Sequence, residues 1–177
     1  MGYPVAMKVA SEKIVHKTES GGIALGIRNE AEYRAAYARL KKIIDESGAP
    51  GGVLLQKMAG TGVEVIVGAK RDPHFGPVVM FGLGGVFVEM MKDVVFRPAP
   101  VDIEEALDMN AGIKAAGILR GARGLPKSDL KALAEAIAAA SRLAAGSHRL
   151  TELDINPLIV FPEGEGCAAV DARMILE

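Results

Sequence analysis

The sequence lacks residues that several classes of protein require. It has no tryptophan and only 5% aromatic residues, so stacking platforms for nucleic-acid bases are not expected. Its 21 basic and 22 acidic residues nearly cancel, which argues against nonspecific nucleic-acid binding. Cys167 is the only cysteine, so no intrachain disulfide can form and a reducing, cytoplasmic compartment is the simplest expectation. No apolar run reaches the roughly 18 residues of a membrane span, so no membrane association is expected.

The residues that are present predict a mixed α/β fold. Half of the 177 residues are hydrophobic, enough to form the core of one domain or of two small lobes. Alternating apolar residues predict strands in "YPVAMKVAS", "GGIALGI", "GVLLQKM", "VEVIVGAKR" and "GPVVMFGLGG". Helical spacing predicts one helix from Asn29 to Gly48, one from Asp102 toward Arg120, and one capped by Ser128 that ends at Gly146. We therefore expect antiparallel hairpins and not a regular βαβ alternation.

A hairpin at the end of the chain contains the strongest candidate metal site. In "TELDINPLIV", Asp154 and Asn156 are two residues apart on a strand, so their side chains share one face. Folding the hairpin about "PEGEG" brings Asp171 nearly opposite Asn156. Two carboxylates and an amide oxygen are ligands that suit Mg²⁺. An ordinary polar face of an exposed hairpin is an equally good interpretation of these residues alone.

Two further stretches could serve a nucleotide. Lys8 is predicted on a strand face of small side chains, which leaves space above it. In "VLLQKMAGTGVEVIVGAKR", backbone groups from Gln56 to Met58 could bind an adenine edge, and Glu64 could accept hydrogen bonds from ribose hydroxyls. Two core strands explain this stretch equally well. The glycines of "FGLGG" do not form a dinucleotide-binding fingerprint, because no helix follows at the required spacing.

His16 lies between Lys13 and Lys17 and is followed by Glu19 and two glycines. Positive neighbours make an imidazole a poor ligand for a metal cation. They favour a nearby phosphate, or a phosphoryl group carried covalently on the ring. The competing interpretation is a surface histidine in a solvated charged loop.

Taken together, these stretches resemble the ATP-grasp domain of ADP-forming acyl-CoA synthetases, a family related to the β subunit of succinyl-CoA synthetase. The motifs "PVAMKV", "HKTESGGI", "VEVIVGAKRDPHFGPVVMFGLGG", "LRGARG" and "ELDINPL…AVDAR" occur in family order over nearly the whole chain. The resemblance implies two lobes that hold ATP or ADP with Mg²⁺ between them. We expect a small lobe over residues 1–80, truncated at its N-terminus, and a large lobe over residues 81–177.

The resemblance also implies roles for individual residues. Lys8 would contact nucleotide phosphates, Gln56 and Met58 would lie near the adenine, and Glu64 near the ribose. Asn156 and Asp171, with Asp154 beside them, would bind Mg²⁺, and His16 would be the catalytic phosphoryl carrier.

The reaction implied by the resemblance is acyl-CoA + ADP + phosphate ⇌ acid + CoA + ATP. CoA-binding and ligase domains would come from a partner chain or from the rest of a longer one. One alternative is a ligand-binding, regulatory module of a multidomain protein acetyltransferase. Another is an ATP-grasp carboxylate ligase without a phosphohistidine, which "HKTESGG" argues against. The acyl substrate and the choice between adenine and guanine stay open.

Overall fold

The computed structural model describes residues 2–11, 20–48, 50–85 and 93–177. The chain forms two compact units, unit 1 (Met1–Met58) and unit 2 (Ala59–Glu177). This division differs from the boundary expected between residues 80 and 81. Met80 pairs with Gly68 on one side and with Phe96 on the other, so a boundary there would cut through a continuous sheet.

Unit 1 is a three-stranded antiparallel sheet with one helix. Its elements are β1 (Val5–Ala10), β2 (Ile23–Ile27), α1 (Glu30–Ser47) and β3 (Gly52–Lys57). The strand order is β2-β1-β3, which makes β1 the central strand. These elements confirm the first three strands and the first helix predicted from the sequence.

Side chains of β1 alternate between the two faces of the sheet, and this alternation explains how unit 1 is packed. Val5, Met7 and Val9 are buried in one cluster with Leu40 and Ile44 of α1. The residues between them, including Lys8, therefore lie on the opposite face of the sheet. The structure thus confirms that Lys8 lies on the strand face opposite Val5, Met7 and Val9.

The ends of α1 follow the sequence signals with one difference. The Asn29 side chain accepts a hydrogen bond from the Glu32 N–H, and Gly48 ends the helix at a φ of 59°. The Glu32 carboxylate accepts from the Arg28 N–H, at 2.8 Å. In the capping box expected from the sequence it would accept from the N–H of Asn29.

Unit 2 contains a six-stranded antiparallel sheet. Its strands are β4 (Val63–Asp72), β5 (Gly76–Leu83), β6 (Val94–Pro98), β7 (Leu150–Val160), β8 (Cys167–Ala169) and β9 (Ala172–Leu176). The order is β6-β5-β4-β7, and both β8 and β9 pair with β7. The sequence predicted the β4–β5 and β7–β9 hairpins but not β6.

Three helices cover one face of this sheet: α2 (Ile103–Gly112), α3 (Ala116–Leu119) and α4 (Leu130–Gly146). The expected single helix from Asp102 toward Arg120 is wrong, because the chain becomes extended at Ile113. The buried Asp93 carboxylate accepts hydrogen bonds from the N–H groups of Lys114 and Ala115, both at 2.8 Å. These N–H groups therefore bond to Asp93 and not to a continuing helix.

The cap of α4 is Asp129, not the expected Ser128. Ser128 is buried, and its N–H donates to the Leu119 carbonyl at 2.9 Å. The Asp129 carboxylate accepts from the Ala132 N–H and also from the N–H groups of Gly164 and Gly166 in the β7–β8 loop. One side chain therefore fixes both the start of α4 and the hairpin loop.

Replacing Asp129 with asparagine should destabilise unit 2 in a pH-dependent way. The N–H groups of Ala132, then Gly166 and Gly164, hold the pKa of Asp129 below its usual range. The stabilisation is therefore present above the unfolded pKa of about 3.9 and is lost as the pH falls through the lower folded pKa. The free energies of unfolding of the wild type and Asp129→Asn, measured in urea, should differ at neutral pH and become equal in acid. Asp108→Asn, at an exposed position of α2, is the control; a pH-independent difference would contradict the prediction.

The core of unit 2 lies between α4 and the sheet. Leu133 and Ile137 of α4 pack in one cluster with Val65, Val67 and Phe81 of the central strands. All five are fully buried, and each such side chain contributes roughly 1.5–3 kcal/mol. The helices thus cover one face of the sheet, and the opposite face carries polar residues such as Asp154 together with apolar residues such as Ile66 and Met80. Within the described residues, no helix is long and apolar enough to cross a membrane.

Candidate functional site

The open face of the unit 2 sheet brings charged residues into a row. Gly68 of β4 pairs with Asp154 of β7, and Asp154 pairs in turn with Arg173 of β9. Residues paired across antiparallel strands share a face, so Asp154 and Arg173 lie side by side. Gly68 has no side chain, and a Cβ there would lie only 3.3 Å from the Met80 side chain and 3.4 Å from the Leu153 carbonyl oxygen.

A β-bulge in β7 places Asn156 next to this row. Val65 pairs with Leu158 but Val67 pairs with Ile155, so β7 has one extra residue at Asn156–Pro157. Leu153 before the bulge and Leu158 after it belong to the core cluster, and Ile155 packs against it. The extra residue therefore keeps both halves of the strand packed inward while Asn156 is exposed.

Asp171 lies beside Asn156, as the predicted hairpin register requires. The Asn156 N–H donates to the Asp171 carbonyl oxygen at 3.1 Å. Asp171 is also close enough to Asp154 for its charge to raise the pKa of Asp154. The structure thus brings together the three residues proposed for metal binding.

The ionisation of Asp154 reflects this environment. Burial raises the pKa of Asp154 above its usual range, and the charges of Glu152 and Asp171 raise it further. Arg173 opposes them by lowering the pKa. The Arg173 guanidinium also donates to the Glu152 carboxylate at 2.8 Å. A second positive charge here would relieve the repulsion between the acidic groups.

The donor set at this site consists of oxygens. The described ranges contain no group of three or more His, Cys, Asp or Glu residues arranged to hold a metal. The candidate site instead combines two carboxylates with one amide. Hard oxygen ligands, few enough to leave coordination positions for water or phosphate, fit Mg²⁺ and not Zn²⁺.

Unit 1 places Lys8 and Gln56 on one face. Ala6 pairs with Gln56 and Lys8 pairs with Leu54, so the four side chains lie on the sheet face opposite α1. Lys8 is only 4% exposed. The Gln56 Oε1 atom is buried and has no hydrogen-bond partner among the described residues. A buried acceptor without a donor is costly, and a ligand with an N–H group could satisfy it.

The edge of β3 offers backbone groups beside Gln56. The Met58 N–H already donates to the Pro4 carbonyl at 3.4 Å. Hydrogen-bonded positions alternate along an antiparallel strand, so the outward-facing N–H and C=O groups of β3 belong to Leu55 and Lys57. Residues 56–58 are proposed to bind the adenine edge. Among these three, Lys57 is the residue whose backbone groups face outward.

Glu64 lies apart from the three metal-site candidates. It is four residues before Gly68 on β4, which is about 13 Å along a strand. The Gly84 N–H donates to the Glu64 carbonyl oxygen at 2.7 Å, and a Cβ at Gly84 would lie 3.0 Å from that oxygen. The exposed Glu64 carboxylate extends past Gly85. Gly84 therefore makes room for the main chain of Glu64 and Val65, whereas a Cβ at Gly85 would meet the Glu64 carboxylate only at 3.6 Å, an ordinary contact distance.

His16, the proposed catalytic residue, lies outside the described residues. The other two histidines are both exposed, His74 in the β4–β5 turn and His148 before β7. The Asp72 carboxylate accepts hydrogen bonds from the N–H groups of His74 and Phe75, which explains His74 as a turn residue.

Sequence reasoning missed Arg173 as part of the candidate site. It is two residues after Asp171, and strand alternation places positions two apart on the same face. Applying the period of two to "DARMIL" would have identified it.

The chain is similar to a known protein family over nearly its whole length. The ATP-grasp domain family matches residues 1–176. Acetate–CoA ligase [ADP-forming] I subunit beta of Pyrococcus furiosus is 45% identical over 99% of this chain and 76% of its own length. The 4-hydroxybutyrate–CoA ligase [ADP-forming] of Nitrosopumilus maritimus is 42% identical over 98% of this chain. The chain spans 25% of that larger enzyme.

Solved structures of a related enzyme also match. Dinucleotide forming acetyl-coenzyme A synthetase 1 of Ca. Korarchaeum cryptofilum, with coenzyme A and Ca-AMPCP, superposes with a TM-score of 0.93. The two are 42% identical over 99% of this chain and 77% of that one. A second structure of that enzyme, with Mg-AMPPCP and a phosphohistidine segment pointing towards the nucleotide-binding site, gives a TM-score of 0.84 at 41% identity.

The chain belongs to the ATP-grasp domain family and is homologous to the β subunits of ADP-forming acetate–CoA ligases. The predicted ATP-grasp fold with antiparallel sheets is confirmed.

Proposed function

We propose that this chain is the nucleotide-binding part of an ADP-forming acyl-CoA ligase. It would bind ATP or ADP with Mg²⁺ and transfer a phosphoryl group through His16. The observation that carries the proposal is that Asp171, in the short connection between β8 and β9, lies opposite Asn156 of β7 and close to Asp154. This oxygen-rich group, on a chain homologous to enzymes solved with Mg-AMPPCP and Ca-AMPCP, fits a metal–nucleotide site.

The side-chain oxygens of Asp154, Asn156 and Asp171 would coordinate Mg²⁺. Asn156 of β7 and Asp171 of the β8–β9 connection would bind it, and Asp154 would bind it directly or through water. When bound, Mg²⁺ neutralises charge on the phosphates during transfer. Arg173, whose charge lowers the pKa of Asp154, would favour the ionised form of that carboxylate before the metal enters.

The family resemblance assigns further nucleotide contacts to four other residues. Lys8 would neutralise phosphate oxygens. Gln56, with its buried Oε1, and the backbone at Lys57 and Met58 would bind the base. Glu64 would accept hydrogen bonds from the ribose. These roles rest on strand position, side-chain chemistry and the family resemblance, with unit 1 as the small lobe and unit 2 as the large lobe.

His16 would act as the phosphoryl carrier. In the direction of ATP consumption, an imidazole nitrogen attacks the γ-phosphorus, a P–N bond forms, and the bond to the ADP oxygen breaks. Lys13 and Lys17 would neutralise the phosphoryl oxygens. Positioning and charge neutralisation dominate such transfers, so little other covalent chemistry is required of the protein.

The complete reaction would need CoA-binding and ligase domains. The chain covers 76% of a related β subunit and 25% of a related single-chain ligase, which supports a role as one part of a larger enzyme. Acyl-CoA, ADP and phosphate would be converted to acid, CoA and ATP, with the acyl group bound by the other domains.

Metal-site variants test this proposal. Asp171→Ala and Asn156→Ala should each weaken Mg²⁺-dependent nucleotide binding at least about tenfold, because losing an outer-shell partner alone costs 10–100-fold in other metal sites. Isothermal titration of AMPPCP, with and without Mg²⁺, measures the effect. Both variants should keep the wild-type circular dichroism spectrum.

Glu165→Ala, an exposed carboxylate in the loop of the same hairpin, is the matched control and should bind like the wild type. Equal Mg²⁺ dependence in the wild type and both site variants would remove these residues as ligands. Metal-dependent binding that never leads to phosphorylation with the partner domains would favour the regulatory-module alternative.

A further inference from the structure

The outer edge of β9 is an unusual feature of unit 2. No strand in the described part of the chain pairs with this edge, since β9 pairs only with β7. All five residues of β9 are exposed, including Met174 at 56% and Leu176 at 57%. An exposed apolar edge strand is a template for pairing with another chain.

The hydrogen-bond register shows which backbone groups face this edge. The Asn156 N–H donates to the Asp171 carbonyl, so Asp171 belongs to a hydrogen-bonded pair with β7. Alternation then directs the backbone groups of Ala172, Met174 and Leu176 away from β7. These three residues present the N–H and C=O groups that an added strand would bond.

The opposite edge of the same sheet is protected. The Ala99 N–H donates to Pro77, so Phe96 and Pro98 are the outward positions at this end of β6. Pro98 has no N–H, and the Phe96 carbonyl accepts a hydrogen bond from the Arg97 guanidinium at 2.9 Å. Proline and a charged side chain are common protections of an edge strand, and β9 contains no proline.

The sequence of β9 is complementary to itself. In "RMILE", Arg173 and Glu177 flank three apolar residues centred on Ile175. In an antiparallel pair of two copies centred on Ile175, each Arg173 faces a Glu177, and Met174 faces Leu176. Met174 and Leu176 are both outward-bonding positions, so the hydrogen-bond pattern is satisfied in the same register.

The helix side of this edge is also apolar. Met174 and Leu176 pair with the buried Leu153 and Leu150, so their side chains lie on the α4 side of the sheet. Ala132 of α4 lies against β8, because its carbonyl accepts a hydrogen bond from the Cys167 thiol at 3.6 Å. Leu143 is three turns further along the same helix and is 47% exposed. A two-fold axis through Ile175 would place these apolar side chains of both copies on one face.

We propose that β9 is a homodimer interface, in which β9 of one copy pairs antiparallel with β9 of a second copy about Ile175. The occupant is a second copy because charge, apolar pattern and hydrogen-bond register are all self-complementary at one alignment. The two sheets then form one continuous sheet with a closed two-fold contact.

Opposite charges at the central residue test this pairing. Ile175→Lys and Ile175→Asp each place like charges face to face, and each should raise the dimer Kd roughly tenfold or more. Mixing the two variants should restore dimers, since lysine then faces aspartate. Sedimentation equilibrium over a concentration series of the full chain measures all three samples. Glu177→Arg, which creates two Arg–Arg pairs, should also weaken the dimer.

Ile103 of α2 gives a matched control, because it is 38% exposed and Ile175 is 39% exposed. Ile103→Lys and Ile103→Asp should dimerise like the wild type. A wild-type chain that stays monomeric would overturn the proposal, as would variants that fail to recombine on mixing. So would protection of β9 from hydrogen exchange by the CoA-binding chain alone.

Discussion

His16→Ala should abolish labelling of the protein by γ-labelled ATP in the presence of Mg²⁺ and the CoA-binding and ligase domains. An alanine offers no nitrogen to accept the phosphoryl group, and loss of a nucleophile typically costs at least about a thousandfold in rate. The label on the wild type should be acid-labile, because a phosphoryl–imidazole bond hydrolyses in acid. Phosphate analysis by mass spectrometry would locate it.

The chain has matched controls, because it contains only two other histidines. His74→Ala and His148→Ala remove exposed imidazoles and should be labelled like the wild type. Nucleotide binding by His16→Ala, measured by titration, should stay near that of the wild type, which separates transfer from binding. A label that persists in His16→Ala would assign the carrier role to another residue.

Asp93→Ala should be among the most destabilising single changes in unit 2. The side chain is 6% exposed and accepts two backbone hydrogen bonds, from Lys114 and Ala115. Removing it leaves two N–H groups unpaired at the junction of α2 and α3. Hydrogen bonds to charged groups are worth about 1.5–3 kcal/mol each, so we expect a loss of about 3–5 kcal/mol.

Urea unfolding followed by circular dichroism measures this loss. Asp93→Asn keeps one acceptor oxygen and should lose roughly half as much stability. If the free energy of unfolding of Asp93→Ala lies within about 0.5 kcal/mol of the wild-type value, as is usual for surface substitutions, the carboxylate does not determine where the helix ends.

Much of the fold could be predicted because its signals are local. The β4–β5 turn and the C-terminal hairpin are encoded by turn residues and by alternation over short distances. Counting residues from the "PEGEG" loop was enough to bring Asp171 beside Asn156. The pattern of β1 likewise separated Lys8 from the buried Val5, Met7 and Val9.

The incorrect predictions concern features that are determined by contacts between residues distant in sequence. The break between α2 and α3 is fixed by Asp93, about twenty residues earlier. The spacing of apolar residues within the helical stretch gives no sign of this contact. Asp129 replaces Ser128 as the cap because the loop at Gly164 and Gly166 supplies additional donors. The boundary between units was misplaced because β5 belongs to a sheet completed by β7, more than sixty residues later.

The close approach of Gly84 to Glu64 limits how this part of the chain can evolve. Any residue larger than glycine at position 84 would push against the main chain of the strand that carries the acidic side chain. Because the contact is with main-chain atoms, no substitution at position 64 relieves it, and position 84 is restricted to glycine as long as this strand geometry is kept. Variation in nucleotide preference among descendants of this chain would have to arise at positions other than 84.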